Sequence, residues 1–209
     1  MHKLERPEAP NCLSRFRHGH NNWRDVSTAD KNEIWEKLET MQGRRCAYCE
    51  GRLPEIRRHI EHFRQQSGYP QGTFQWNNLF GSCDKQDSCG RRKDRVSYRE
   101  GDILKPDVDD PDDYLHFQAD GRIMPRRDLP AEMRHRAEKT LRVFNLDHER
   151  GPLRQMRRAA VQGYLATARD LQEWLAEDED LYFEYLHEEL KAIVGQPFET
   201  AIRHLLTAH

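Results

Sequence analysis

Four cysteines in two pairs constrain this chain more than any other feature. Cys46 and Cys49 flank Ala47 and Tyr48, and Cys83 and Cys89, with five residues between them, answer them downstream. One tight turn presents both sulfurs of the first pair, and four thiolates around one ion make a closed structural zinc site. In a reducing compartment such pairs read as metal ligands sooner than as disulfides, and nothing at the amino terminus resembles a cleavable signal peptide. The expectation is therefore a cytoplasmic chain holding Zn²⁺ on Cys46, Cys49, Cys83 and Cys89. Cys12 sits far from the cluster and reads as a small apolar residue packed under the amino-terminal segment.

A chain of 209 residues, 36% hydrophobic and 33% charged, suits a soluble globular protein with one good core or two small ones. No apolar run approaches the length of a membrane span. The net charge of -2 gives no global attraction to nucleic acid, but the charge is unevenly placed. Twelve Lys or Arg stand against six Asp or Glu from Arg44 to Arg99, whereas Asp170 to Glu189 holds neither Lys nor Arg. A basic field around the cysteines suits a phosphate backbone.

Local chemistry sets the expected elements. The segment up to Asp25 is irregular, and Ser27 or Thr28 then caps a helix that carries Ile34, Leu38 and Met41 to about Gln42 and stops at Gly43. A short strand is expected from Ile56 to Phe63, a loop through Gly68, Pro70 and Gly72, a second strand from Phe74 to Phe80, and a short basic helix from Gly90 to Arg99. The acidic, proline-punctuated stretch from Gly101 to Asp113 reads as a linker. Asp120-Gly121 between short apolar runs predicts a hairpin. Helices follow from Leu129, with Pro130 in the first turn, and then from Gly151 as one long helix to Leu175. Two more cover Leu181 to Ile193 and Pro197 to Leu206. Tyr164, Trp174, Tyr182 and Tyr185 read as core.

Between the cysteine pairs lie Ile60-Glu61-His62-Phe63 and Trp76-Asn77-Asn78-Leu79. Phosphodiester hydrolysis needs a water deprotonated near neutral pH and a cation on the phosphate oxygens. A histidine with an ordinary pKa of about 6.5 can be that base, and an adjacent carboxylate can hold a divalent ion. Glu61-His62 offers both, and Asn78 can bond across the loop to fix the imidazole. Successive strand side chains point to opposite faces, so a twist must bring Glu61 and His62 together; His59, on the face of Glu61, is a spare ligand candidate.

These residues resemble the HNH endonucleases, whose ββα-metal motif starts with an acidic residue or histidine before the catalytic histidine, passes through Asn-Leu and ends in a metal-binding helix. Met1-His2-Lys3-Leu4, Trp23, Cys46-Ala47-Tyr48-Cys49-Glu50, Ile60-Glu61-His62-Phe63-Arg64 and Trp76-Asn77-Asn78-Leu79-Phe80-Gly81-Ser82-Cys83 resemble in particular the PtuB subfamily of Septu anti-phage systems, also found in some retrons. The resemblance covers the first hundred residues with specific motifs. It implies His62 as general base, Glu61 as ligand of a catalytic Mg²⁺ or Mn²⁺, and Asn78 as the loop-fixing residue. It also implies a PtuA-type SMC or ABC-like ATPase partner, a nucleic-acid substrate, and in some systems a retron reverse transcriptase with its DNA. Two positions depart from the pattern: Gln65 replaces a common proline, and Gly90-Arg91-Arg92-Lys93-Asp94 lacks the usual histidine or asparagine after the last cysteine. Lys93 is then a candidate to stabilise phosphate charge, and Asp94 to complete the metal site.

The expected fold is α+β and mostly helical. It comprises an amino-terminal segment and helix (1–43), a ββα-metal nuclease core with a four-cysteine zinc knuckle (44–100), an acidic linker with hairpin (101–128) and a helical region suited to partner docking (129–209). DNA is the favoured substrate. The alternatives are RNA such as tRNA, to which the same attack applies, and a zinc-knuckle adaptor with a degenerate site.

Overall fold

Ser27 starts the first helix through its own side chain. In the computed structural model, which describes residues 1–208, α1 (Thr28–Gln42) opens on a reciprocal cap: the Asp30 amide donates to the Ser27 hydroxyl (3.2 Å) and the Ser27 amide donates to the Asp30 carboxylate (3.0 Å). The helix stops at Gly43, whose φ of 63° disfavours a side chain. Ile34, Leu38 and Met41 are buried, as their spacing predicts. Ahead of α1 the chain makes only two 3₁₀ turns, Asn11–Arg15 and Trp23–Asp25, and Cys12 is buried in the first.

The end of α1 fixes the first sheet. Strands β1 (Arg58–His62) and β2 (Leu79–Cys83) pair antiparallel, with Ile60 opposite Gly81 and His62 opposite Leu79. The Gln42 amide group bonds both backbone groups of Gly81 at 2.9 Å, doing for β2 what a third strand would do. A Cβ at Gly81 would come within 2.8 Å of the Trp35 ring, so the approach needs glycine. The second strand therefore lies later than the expected Phe74–Phe80, because Trp76–Asn78 coil into a 3₁₀ turn. The next helix, α2 (Cys89–Lys93), is also shorter than the expected Gly90–Arg99. Beyond it the chain bends back so that the Tyr98 hydroxyl donates to the Phe63 carbonyl.

The acidic stretch expected as a linker is anchored along its length. Ile103 and Leu104 are buried, the Leu104 amide donates to the Thr140 hydroxyl (2.8 Å), and Arg136 pairs with Asp109 (2.8 Å). The hairpin forms as β3 (Leu115–Phe117) and β4 (Ile123–Pro125), with Gly121 at φ 86° in its turn. Helix α3 (Ala131–Phe144) follows, and Pro130 is its cap residue, one position before the first turn. Phe144 stacks on Tyr48 of the cysteine knuckle, ring centroids 4.2 Å apart.

The single helix expected from Gly151 to Leu175 is two, α4 (Pro152–Gln162) and α5 (Leu165–Glu177). Gly163 and Tyr164 part them, because the Leu153 and Val161 face belongs to the main core and the Ala168 and Leu171 face to a smaller one. Helices α6 (Glu179–Ala192) and α7 (Glu199–Leu206) complete the chain. Of the four aromatics expected in the core here, Tyr182 is fully buried, Tyr164 and Trp174 are partly covered, and Tyr185 is exposed. The main core runs continuously from Ile34, Tyr48, Phe63 and Phe80 to Leu104, Phe144, Leu153 and Ala201. The result is an α+β fold, about 50% helical, with two small two-stranded sheets. Among the described residues no helix is long and apolar enough to cross a membrane.

The hairpin turn seats directly on α4, where a Cβ at Gly121 would strike the Arg154 carbonyl and come within 3.0 Å of the Arg158 amide. Gly121→Ala is expected to lower unfolding stability by about 2 kcal/mol or more, with Gly121→Asn no better, because the obstruction is backbone. Urea titration of the two variants measures it; an unchanged midpoint would mean that the turn does not dock there.

Candidate functional site

The two cysteine pairs converge. The ligand atoms of Cys46, Cys49, Cys83 and Cys89 all lie within 4.8 Å of one another, and all four residues are buried. Zn–S bonds of about 2.3 Å in a tetrahedron put sulfurs roughly 3.8 Å apart, so this group has the dimensions to hold a metal ion such as zinc. The first pair sits in a turn closed by the Cys46 amide on the Gly51 carbonyl (2.8 Å) and the Glu50 amide on the Cys46 carbonyl (3.0 Å). Burial opposes ionisation of Cys46, yet hydrogen bonds from Cys49, Cys83 and Cys89 hold its thiol well below the usual range, whereas burial pushes Cys89 well above.

The knuckle is also tied to both ends of the chain. The buried Glu50 carboxylate takes the Met1 ammonium group and the Thr200 amide (3.0 Å), and Arg45 pairs with Glu199 (2.6 Å). Helix α7 thus closes back onto the cysteine turn.

Strand β1 sorts the candidate residues by face. His59 and Glu61 turn toward α2, where a Cβ on Gly90 would run into the Glu61 side chain and stand 3.1 Å from His59 Nε2. Glu61 is only 2% exposed, and its carboxylate takes Lys93 Nζ (2.6 Å) and the Tyr48 hydroxyl. Lys93, expected to face a phosphate, is fully buried; its ammonium group donates to the His62 carbonyl (2.8 Å), Asp94 (2.8 Å) and Tyr98 (3.3 Å), and it meets Glu61 as an ion pair. Burial pushes the Glu61 carboxyl up, with Lys93 countering in part. For Lys93, burial lowers the pKa, but Glu61, Tyr98 and Asp94 together raise it above the ordinary value.

His62 turns the other way. Its Nε2 lies 3.0 Å from the Thr73 carbonyl, and its ring meets Trp23 edge-on with centroids 4.6 Å apart. A carbonyl only accepts, so the shorter Thr73 contact assigns the proton to Nε2 and the lone pair to Nδ1, with the Gln66 side-chain amide 3.4 Å from the same nitrogen. Burial lowers the His62 pKa to about 4 against the opposing Thr73 bond, which keeps the ring neutral at physiological pH. Asn78 supports this from behind: its Oδ1 accepts from the Arg64 amide (2.7 Å), and its Nδ2 donates to the carbonyls of Gly72 (3.1 Å) and Arg64 (3.2 Å). The loop that carries Thr73 is held at both ends by one amide.

Both faces of β1 nevertheless border one cleft of about 310 Å³, lined among others by Trp23, His59, Glu61, His62, Arg91 and Asp94. A second cleft of about 820 Å³, with His18, His20 and Arg24, adjoins it across Trp23 and Gln66. His62, Glu61 and Asp94 are therefore brought together, Asn78 stands behind them, and Lys93 lies underneath. Among the described residues the cysteines are the only group of three or more potential ligands gathered so closely. The basic field is partly taken up in ion pairs, Arg58 with Glu39 (2.5 Å) and Arg64 with Glu100 (2.7 Å). Thr73, Tyr48 and Tyr98 act here without any spacing signal in the sequence, since one serves through its backbone and the others read as core aromatics.

No family model matches the chain. Two curated proteins do, and both stand with the HNH proteins of Septu and retron systems that the motifs resemble. The chain is 32% identical over 92 residues to a Septu protein PtuB of Bacillus thuringiensis, a match covering 40% of this chain and 35% of that protein. It is 26% identical over 125 residues to a Retron Vc95 putative HNH endonuclease of Vibrio cholerae serotype O1 biovar El Tor, covering 56% of this chain and 58% of that one. The chain thus spans less than two thirds of the length of either relative.

The Glu61–Lys93 pair has a direct consequence for stability. Removing one partner of a buried pair strands the other, so Lys93→Met is expected to cost about 3–5 kcal/mol, with Glu61→Gln/Lys93→Met recovering much of it. Denaturant unfolding of the wild type, the single variant and the double variant checks this. A loss below about 1 kcal/mol in the single variant would mean that the pair is solvated.

Proposed function

We propose that the chain is a metal-dependent HNH endonuclease that hydrolyses nucleic-acid phosphodiester bonds. In this reading residues 44–100 form the ββα-metal core, and Zn²⁺ on the four cysteines is its structural staple. The observation that carries the reading is His62: a neutral imidazole of fixed tautomer, its lone pair on Nδ1, beside carboxylates in an open cleft. The similarity to the Septu and retron proteins supports the same assignment.

In the proposed reaction His62 Nδ1 takes a proton from a water poised in line with the phosphorus. The water oxygen forms the new P–O bond, and the departing sugar oxygen takes a proton from solvent. Thr73 keeps the imidazole aimed and stabilises the imidazolium form through Nε2. Asn78 holds the Thr73 loop, Trp23 limits ring rotation, and Arg91 faces the incoming phosphate. The donor set fits a hard divalent cation, since Asp94 places a half-exposed carboxylate at the cleft and Glu61 lies beside it. When bound, Mg²⁺ or Mn²⁺ supplies positive charge to the phosphate and leaving oxygens.

By the same resemblance the enzyme is the nuclease effector of a prokaryotic anti-phage complex in the cytoplasm, partnered by a PtuA-type ATPase. The helical region from residue 129 offers the docking surface, with exposed Phe183 and Tyr185 on the acidic helix α6. DNA is the favoured substrate. One observation favours the adaptor reading, namely that Lys93 and Tyr48 already engage the Glu61 carboxylate.

His62→Ala separates the two readings. A nuclease variant should keep the wild-type unfolding midpoint yet lose cleavage of plasmid, single-stranded DNA and total RNA by about 10²-fold or more, whereas an adaptor should protect cells equally well without His62. Because burial holds the His62 pKa near 4, the acid limb of kcat/KM should fall well below pH 6.5. A limb centred at 6.5 would place the titrating base elsewhere.

A further inference from the structure

Among the described residues His59 is the one imidazole in the cleft without a hydrogen-bond partner. Both of its ring nitrogens are shut off from bulk water and neither makes a hydrogen bond, so the side chain bears an uncompensated desolvation cost. It stands on the Glu61 face of β1, directly over Gly90, the residue after the last cysteine. Any side chain at Gly90 would collide with Glu61 and crowd His59, so the space that a helix-borne ligand would use is filled from the strand instead. Asp94 and His62 line the same cleft, and Arg91 is the cation in it.

We propose that His59 is a ligand of the catalytic divalent cation, replacing from β1 the group that α2 lacks at Gly90, and that its imidazole tilts the site toward Mn²⁺ and later first-row ions over Mg²⁺. The proposal rests on the nuclease reading for the existence of that cation. A metal–nitrogen bond satisfies one of the stranded ring nitrogens in place of the absent hydrogen bond. Asp94, half exposed, supplies the oxygen ligand, and Arg91 meets the phosphate rather than the cation. Imidazole nitrogen suits Mn²⁺ and its neighbours better than Mg²⁺, which selects oxygen donors, so ligand identity sets ion choice.

The test uses the full chain with its cysteine site already loaded with zinc, and reads Mn²⁺ binding by electron paramagnetic resonance, apart from any cleavage. The wild type should bind one Mn²⁺ per chain, and Mn²⁺ should broaden the His59 ring signals in a histidine-labelled nuclear magnetic resonance spectrum. Loss of a group that only supports a ligand already costs about 10–100-fold in metal affinity, so His59→Ala should weaken Mn²⁺ at least about tenfold. His59→Asp should keep a divalent site but shift the preference toward Mg²⁺. If His59→Ala fails to fold, the wild-type broadening and the His59→Asp competition still decide. Unchanged Mn²⁺ affinity in His59→Ala, or broadening that spares His59, overturns the proposal while leaving a cleaving enzyme as a nuclease. Mn²⁺ bound at His59 in a chain that cleaves no nucleic acid overturns the nuclease reading and keeps the metal site.

Discussion

Bringing Cys46 and Cys49 against Cys83 and Cys89 closes the loop that contains every candidate catalytic residue except Asp94 and Lys93, and those two stand at the end of the helix that the last cysteine begins. Loop closure costs conformational entropy, and a short two-stranded sheet does little to offset it. An ion held by the four sulfurs would make up the difference, because its binding free energy is folding free energy. The other elements dock on this staple: Gln42 grips β2 at Gly81, Phe144 stacks on Tyr48, and α7 reaches Glu50 and Arg45.

Around the staple, the protein holds charge where water is scarce. Glu61 and Lys93 sit beneath the cleft as an ion pair, with Tyr48 donating to Glu61 and Lys93 donating to Tyr98, Asp94 and the His62 backbone. Such a network contributes little net stability against an apolar core, but it fixes position, since any displacement strands a charge. The lysine touches the backbone of His62 and the side chain of Asp94 at once, so it couples strand to helix at the site. His59 departs from this pattern, as its ring nitrogens are buried beside the same network and join none of it.

Features written in local chemistry were legible from sequence. The Ser27 cap and the Gly43 stop bound α1, Asp120-Gly121 makes the hairpin turn, and the cysteine spacing foretold the cluster. His62, Glu61 and Asp94 border one cleft and Asn78 braces the loop behind it, a placement on which the proposed roles of these residues are built. What depends on distant partners was not legible. Strand β2 is buried at all five positions and includes Gly81 and Ser82, so it shows no alternation, while Phe74-Gln75-Trp76 alternates and is not strand. The apolar stripe from Leu153 to Leu175 runs unbroken in sequence although its two halves serve different cores. Charge counting could not tell Lys93, sealed over a carboxylate, from a lysine facing solvent, and no pattern marks a backbone carbonyl such as that of Thr73.

The most direct test is X-ray absorption at the zinc edge, combined with metal analysis, on the protein purified without added metal. One zinc per chain surrounded by four sulfurs at about 2.3 Å, with loss of cooperative unfolding on chelation, is the predicted result. A chain that is metal-free yet unfolds with the same cooperativity, or a zinc bound by nitrogen and oxygen, would contradict the account at its root.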